Sequence, residues 1–211
     1  MPDYEKMSEK VIEGSQDEVA DLTQEAIDEG ADPQEIISEG LINGMNVVGE
    51  RFKAGDMFVP EVLMSAKAMK AGMKLVNPLL TEGDRAASTT VVLGTVEGDL
   101  HDIGKNLVAM MLESGGMEVI NLGVDIEADE FVEAVRENDP DVLGMSALLT
   151  TTMMEMQDVI EVLEEEGLRE GVNIIVGGAP VTQEFADDIG ADGWAPDAAS
   201  AKDLVQDMAS E

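Results

Sequence analysis

Val91-Val92-Leu93-Gly94-Thr95-Val96-Glu97-Gly98-Asp99-Leu100-His101-Asp102-Ile103-Gly104-Lys105-Asn106 is where the rhythm of this chain changes. Its first six residues are mostly β-branched and apolar, the composition of a strand. Gly98 interrupts the run, and a helix is expected over 103–114. Strand, short polar loop and helix together open a βα unit. Further short β-branched runs follow at 118–122, 142–146 and 173–176, with a weaker one at Gly193-Trp194. Helices are expected between and after them, over 128–138, 152–166, 183–189 and 198–209.

Five strands separated by helices predict an α/β fold: a doubly wound, five-stranded parallel sheet in flavodoxin-like order. Such sheets bind ligands beyond the carboxyl ends of their strands. The segments just after Val96, Ser146 and Val176 are therefore the places to look for a site. Upstream the chain reads as helix. Ser15 with Glu18 has the form of a capping box, followed by Val19, Leu22, Ala26 and Ile27 on one face and Gly30 as a stop. Asp32-Pro33-Gln34-Glu35 opens a second helix, with Ile37, Leu41, Met45, Val48 and Phe52 on its apolar face. Another carries Val62, Ala66, Met69, Met73 and Val76. With a short helix near residues 4–13 these make an N-terminal four-helix bundle. A polar linker is expected at Thr81-Glu82-Gly83-Asp84-Arg85, so two domains are predicted, residues 1–83 and 88–211.

The composition limits what the chain can do. At 44% apolar among 211 residues it can bury a core, so its charge does not imply disorder. Forty-six acidic residues against twelve basic ones give a formal net charge of -34. Such a surface repels nucleic-acid phosphates and anionic membranes, so neither is expected as a partner. A solvated surface explains the charge, and so does a salt-accumulating host. No apolar run approaches the ~18 residues of a membrane span. The acidic start Met1-Pro2-Asp3-Tyr4-Glu5 does not suit a secretory signal, and a cytoplasmic location is the expectation.

There is no cysteine and one histidine, His101. These counts exclude thiolate zinc sites, cysteine nucleophiles and multi-histidine metal centres. No Gly-x-Ser-x-Gly elbow and no Walker-type phosphate loop occur. A metal brought by a macrocycle needs only one protein ligand, and that fits the count. Asp99 and His101, two residues apart, point the same way along an extended segment. An imidazole can bind metal through one nitrogen while the other donates to a carboxylate. Gly98 and Gly104 would allow tight turns and close approach of a bulky group. Taken alone, Asp-x-His-x-x-Gly is equally a loop histidine bonded to its neighbour.

Two further pieces lie at later strand ends: Ser146-Ala147-Leu148, and Gly177-Gly178. Asp-x-His-x-x-Gly, Ser-x-Leu and Gly-Gly, in this order and spacing, resemble the three-part signature of cobalamin-binding domains. Thr95–Asn106, Asn121-Leu122-Gly123-Val124, Ser146–Met153 and Val176–Thr182 look like the corrinoid proteins of methylamine, methanol, betaine and methoxyaromatic methyltransferase systems. Gly44-Met45-x-x-Val48-Gly49 and Met57–Val62 are similar to the helical cap of cobalamin-dependent methionine synthase. The resemblance covers nearly the whole chain.

The resemblance implies a corrinoid, with His101 as the lower axial ligand to cobalt and the cofactor's own base displaced. It implies that Asp99 holds His101 and that the hydroxyl of Thr152 completes the relay; methionine synthase has serine there. It implies that Ser146 contacts the buried base and that Gly177 and Gly178 leave room for the nucleotide tail. Asp102, Ile103, Leu148 and Thr150, with Gly104 of the signature, are expected against the corrin or tail. Phe52, Val59 and Val62 match apolar residues that cover the methyl-bearing face, although by periodicity Phe52 is equally bundle core. Met64, Met69 and Met73 are expected in the core, and Trp194 to pack at the last strand end.

Cobalt(I) takes a methyl group as a nucleophile and yields it as a cation equivalent, while the protein supplies ligation, burial and access. Residues for a substrate pocket are not evident. The implied partners are a substrate-specific methyltransferase, a second one delivering to coenzyme M or tetrahydrofolate, and a reductive activation protein. Radical mutases and light-sensing regulators share this cofactor domain. Mutases usually join it to a catalytic barrel, and the helical cap argues against that. The regulators carry a DNA-binding domain with Trp and Glu-His in the bundle, which this chain cannot supply, since Trp194 and His101 are its sole Trp and His.

Overall fold

A computed structural model of the chain describes residues 2–81 and 89–209. These fall into two compact units. One holds the residues before Thr89 together with Glu113–Gly116; the other holds Thr89–Leu112 and the residues from Met117 onward. The linker predicted from Thr81 to Arg85, apart from Thr81, lies outside the described residues, as do the boundaries predicted at 83 and 88.

Among the described residues the first unit contains four helical rods. They are α1 (Tyr4–Ile12), α2 (Gln16–Asp28), a third rod built from α3 (Pro33–Glu35), a π-helical segment (Ile36–Ile42) and α4 (Asn43–Lys53), and finally α5 (Val59–Val76). The predicted bundle is there. Asp32 caps the third rod, its carboxylate accepting from the Gln34 N–H at 2.8 Å. The capping box read at Ser15 is not formed: Ser15 precedes α2 with ψ 81°, and its side chain makes no cap bond. The extended backbone that usually aims an N-cap hydroxyl at the first turn is missing. Gly30 stops α2 in a Schellman arrangement, with φ 79° and bonds Ala31 N–H to Ala26 O and Gly30 N–H to Ile27 O.

The π segment was not predicted. Buried residues recur along the third rod at Ile36–Ile37, Gly40–Leu41, Gly44–Met45 and Val48–Gly49. A spacing of four drifts steadily around a helix of 3.6 residues per turn, and the wider π turn offsets that drift. Met69 is core, as expected, and Met73 half-buried. Met64 departs from the expectation: it is exposed, on the polar face of α5 with Glu61, Lys67 and Lys74. No helix among the described residues is long and apolar enough to cross a membrane.

The second unit is the predicted parallel sheet. Its strands are β1 (Thr90–Val96), β2 (Glu118–Ile126), β3 (Val142–Ser146), β4 (Asn173–Gly177) and β5 (Gly193–Ala195), in the order β2-β1-β3-β4-β5. The intervening helices are α6 (Ile103–Ser114), α7 (Ala128–Asn138), α8 (Glu155–Glu165), α9 (Gln183–Asp188) and α10 (Ala198–Met208). β1 is buried along almost its whole length, as a central parallel strand covered on both faces must be. Trp194 on β5 donates its indole N–H to the Val181 carbonyl at 2.9 Å.

Two elements differ from expectation in ways that matter for the site. β2 runs four residues beyond the predicted end at Leu122, through register shifts against β1 on either side of Gly94. α8 begins at Glu155 rather than 152. The preceding residues turn back on Leu149, whose carbonyl receives the N–H of both Thr152 and Met153. The chain order reverses between β1 and β3, so the crevice of this sheet opens between their carboxyl ends.

Candidate functional site

Residues 97–101 cross that crevice. Asp99 N–H returns to the Val96 carbonyl at 3.2 Å, closing a four-residue turn. Gly98 sits at its third position with φ 73°, the left-handed conformation a type II turn demands there. Thr95, buried at the end of β1, donates its hydroxyl to the His101 carbonyl at 3.0 Å.

Asp99 is 0% exposed and accepts four hydrogen bonds. Oδ1 receives the His101 backbone N–H at 3.0 Å and ring Nδ1 at 2.7 Å. Oδ2 receives the Leu148 N–H at 2.7 Å and the Thr152 hydroxyl at 2.8 Å. Burial pushes this carboxyl's pKa up. The bonds from Leu148, from His101 backbone and ring, and from Thr152 outweigh burial and hold it well below the usual carboxylate range. An ionised Asp99 can only accept, so Nδ1 carries the proton and Nε2 presents a lone pair. The His101 ring is 52% exposed, and among the described residues no hydrogen bond occupies Nε2.

Exposed apolar side chains are concentrated in the segments on either side of the crevice. Of the eight exposed large apolar side chains among the described residues, Leu100, Ile103, Leu148, Leu149 and Met154 lie in the two segments bonded to Asp99. Ile103 is 79% and Leu100 71% exposed. Exposed apolar groups gathered in this way mark a binding surface. Among the described residues no three His, Asp or Glu side chains converge as a protein-built metal site requires. One oriented imidazole, with uncovered apolar side chains in its own segment and in the segment that shares Asp99, suits a metal held in a large, largely apolar macrocycle, so the donor set fits a corrinoid.

The three signature pieces meet at one level of the sheet. Thr95, Ser146 and Gly177 are register partners across β1, β3 and β4. Ala147 N–H donates to the Gly177 carbonyl at 3.2 Å. Gly178, at φ 123°, lies so close to Ala147 that a Cβ would overlap its carbonyl oxygen, so only glycine fits. Gly104 differs from its reading as a turn: it is the second residue of α6, and a Cβ there would meet nothing. Its backbone borders open space instead. Asp102 and Thr150 are exposed, and Asp102 accepts from the Asn106 amide at 3.0 Å. Phe52 and Val59 are half-buried and Val62 fully buried; all three belong to the helical unit.

Two groups received no role from the sequence. Asp125, at the unpredicted end of β2, accepts the Gly98 N–H on Oδ1 at 2.7 Å and donates its own N–H to the Asp99 carbonyl at 3.1 Å. Lys105 is buried on α6 and donates to Asn106 Oδ1 at 2.9 Å and Asn121 Oδ1 at 2.7 Å. Burial pushes its pKa down, and the Asp102 carboxylate opposes this. Lys105 lies in a stretch already noted for its resemblance, Asp125 just beyond one, and no residue pattern links a β2 aspartate to a loop after β1.

Comparison with known proteins gives the same picture. Residues 89–202 match a family described as the B12 binding domain, and residues 4–77 match a second family of that description. A corrinoid protein of Desulfitobacterium hafniense is 44% identical over 204 residues, covering 95% of this chain and 94% of the relative. Dimethylamine corrinoid protein 1 of Methanosarcina acetivorans is 50% identical over 179 residues, covering 82% and 84%. Among solved structures, the methanol:cobalamin methyltransferase complex of Methanosarcina barkeri superposes with a TM-score of 0.85 at 34% identity, covering 97% of this chain and 78% of that one. A cobalamin-binding protein of Desulfitobacterium hafniense gives 0.83 at 30% identity, with 99% of both chains covered. The chain belongs to the corrinoid proteins, a family built on B12 binding domains, and its cofactor is a corrinoid.

Proposed function

We propose that this chain is a methyl carrier in which His101 Nε2 is the protein ligand to cobalt. One observation carries the proposal: an exposed imidazole whose other nitrogen is fixed by a fully buried, four-bonded carboxylate. When bound, the corrinoid supplies a metal centre able to accept a methyl group and give it up as a cation equivalent. The chain's own residues orient and shield. Asp99 selects the tautomer and sets the ring plane, and Thr152 and Leu148 hold Asp99. Ser146 would contact the buried base, and Gly177 and Gly178 would leave room for the nucleotide tail. Asp102, Ile103, Gly104, Leu148 and Thr150 border the ligand, and Phe52, Val59 and Val62 form the apolar cover.

The methyl group would arrive from a substrate-specific methyltransferase. It would leave through a second methyltransferase, to coenzyme M or tetrahydrofolate, and a reductive activation protein would restore the carrier in the cytoplasm. The 50% identity with a dimethylamine corrinoid protein supports a methylated amine as donor. The test is to load the purified chain with cobalamin, reduce it, and add dimethylamine with a dimethylamine methyltransferase. Appearance of the methylated cofactor's spectrum is expected. No spectral change with methylamines, alongside conversion with methanol and its methyltransferase, would reject the amine.

A further inference from the structure

We infer that Asp125 is a positioning residue for the axial ligand, holding the backbone of the histidine loop so that Nε2 of His101 stays where cobalt needs it. The inference rests on the ligand reading proposed above and adds a residue to it.

The end of β2 is built irregularly. Leu93 pairs with Asn121 but Gly94 with Gly123, and Val96 pairs with Ile126, so β2 gains two residues over the span where β1 advances from Leu93 to Val96. Bulges of this kind re-aim side chains and are frequent beside active sites. Here the result is Asp125 at φ 58°, a left-handed conformation that side chains rarely adopt and that Asp and Asn tolerate best. Strain of that sort persists only where surrounding contacts over-determine it. The contacts are the two bonds to the loop, Gly98 N–H to Oδ1 and Asp125 N–H to the Asp99 carbonyl.

The two sides of the crevice therefore hold different parts of one residue. The β3 side, through Leu148 and Thr152, holds the Asp99 carboxylate. The β2 side, through Asp125, holds the Gly98–Asp99 backbone. Four bonds on a carboxylate fix the imidazole only if the Cα behind that carboxylate is also fixed. Without Asp125, the backbone of residues 97–101 keeps the turn bond to Val96 and the Thr95 bond to His101, both from β1, while Leu148 and Thr152 still hold the Asp99 carboxylate. The loop backbone could then shift about these remaining anchors, and Nε2 would move with it.

Three substitutions separate the parts of this device. Asp125→Asn keeps an acceptor oxygen and tolerates the left-handed backbone. Asp125→Gly keeps the backbone and its N–H but loses the acceptor for Gly98. Asp125→Ala loses the acceptor and strains the backbone. The readout is the cobalt(II) electron paramagnetic resonance of protein grown on nitrogen-15 histidine and loaded with cobalamin. His101 is the sole histidine, so its ligation splits each cobalt line into a doublet, while the cofactor's own base gives a triplet. Denaturant unfolding of each apoprotein reports the fold separately.

Asp125→Asn is expected to show the doublet as the unaltered chain does. Asp125→Gly should lower the ratio of histidine-ligated to unligated cobalt about tenfold, the effect of losing one hydrogen bond, and Asp125→Ala should lower it further. If the unaltered chain shows the doublet and Asp125→Gly shows it equally, the inference is overturned while the ligand reading stands. If Asp125→Asn falls as far as Asp125→Gly, charge rather than the clasp is responsible, and the inference is again overturned. Absence of the doublet from the unaltered chain would instead reject the ligand reading itself.

Discussion

Asp99→Asn is nearly isosteric yet cannot reproduce the hydrogen bonds of the site. The carboxylate accepts two bonds on each oxygen, whereas an amide has one oxygen and one NH2. If the amide oxygen faces His101, the NH2 faces the Leu148 N–H and the Thr152 hydroxyl. Thr152 can rotate to donate only to Leu149 O, which its hydroxyl already approaches at 3.2 Å, but the part-buried Leu148 N–H is left unpaired. If the amide is reversed, the His101 backbone N–H is orphaned, and Nδ1 must become the acceptor. The imidazole then carries its proton on Nε2 and offers cobalt no lone pair. Either arrangement orphans one part-buried N–H, at about 1–3 kcal/mol, and loses charge assistance on the remaining bonds. The sum is a destabilisation of about 2–4 kcal/mol, which for a domain of this size lowers Tm by about 5–10 °C. Thermal unfolding of the apoprotein measures it, and the visible spectrum of the loaded variant should show reduced histidine ligation. An apoprotein melting within about 1 °C of the unaltered chain would refute the hydrogen-bond accounting.

Thr152→Val should act in the same direction but cost only about 1 kcal/mol in denaturant unfolding, because Asp99 keeps three donors and no N–H is orphaned; a loss as large as that of Asp99→Asn would contradict this ranking. Gly178→Ala should cost about 3 kcal/mol or more by the same measurement, since its Cβ would overlap the Ala147 carbonyl oxygen at a φ of 123°; stability equal to the unaltered protein would show that this strand end yields freely. Phe52→Ala should speed light-driven loss of methyl from the methylated holoprotein several-fold, and an unchanged photolysis rate would remove Phe52 from the cover.

Much of this molecule was legible in its sequence because the relevant signals are local. The runs at Val91–Val96 and Val142–Ser146, and the helix at 128–138, follow from side-chain periodicity alone, and the sheet order follows from the alternation of strands and helices. The three signature pieces could be placed together because doubly wound sheets collect ligands at strand ends. What was missed is non-local. The continuation of β2 through Gly123 and Asp125 depends on two left-handed residues and a bulge set by pairing with β1. Nothing in Leu122-Gly123-Val124-Asp125 announces that Asp125 returns to Gly98. The π segment at Ile36–Ile42 keeps the buried residues aligned but leaves the apolar pattern of an ordinary amphipathic helix. Met64 was assigned to the core by residue type, whereas its position on α5 exposes it.

The central claim is that His101 binds cobalt through Nε2. Its most direct test is the cobalt(II) resonance of the unaltered chain, loaded with cobalamin and compared between natural-abundance and nitrogen-15 histidine. The account predicts a triplet splitting in unlabelled protein that becomes a doublet on labelling, with no doublet in labelled His101→Ala. A triplet that persists with labelled histidine would mean that the cofactor's own base remains on the metal, and would contradict it.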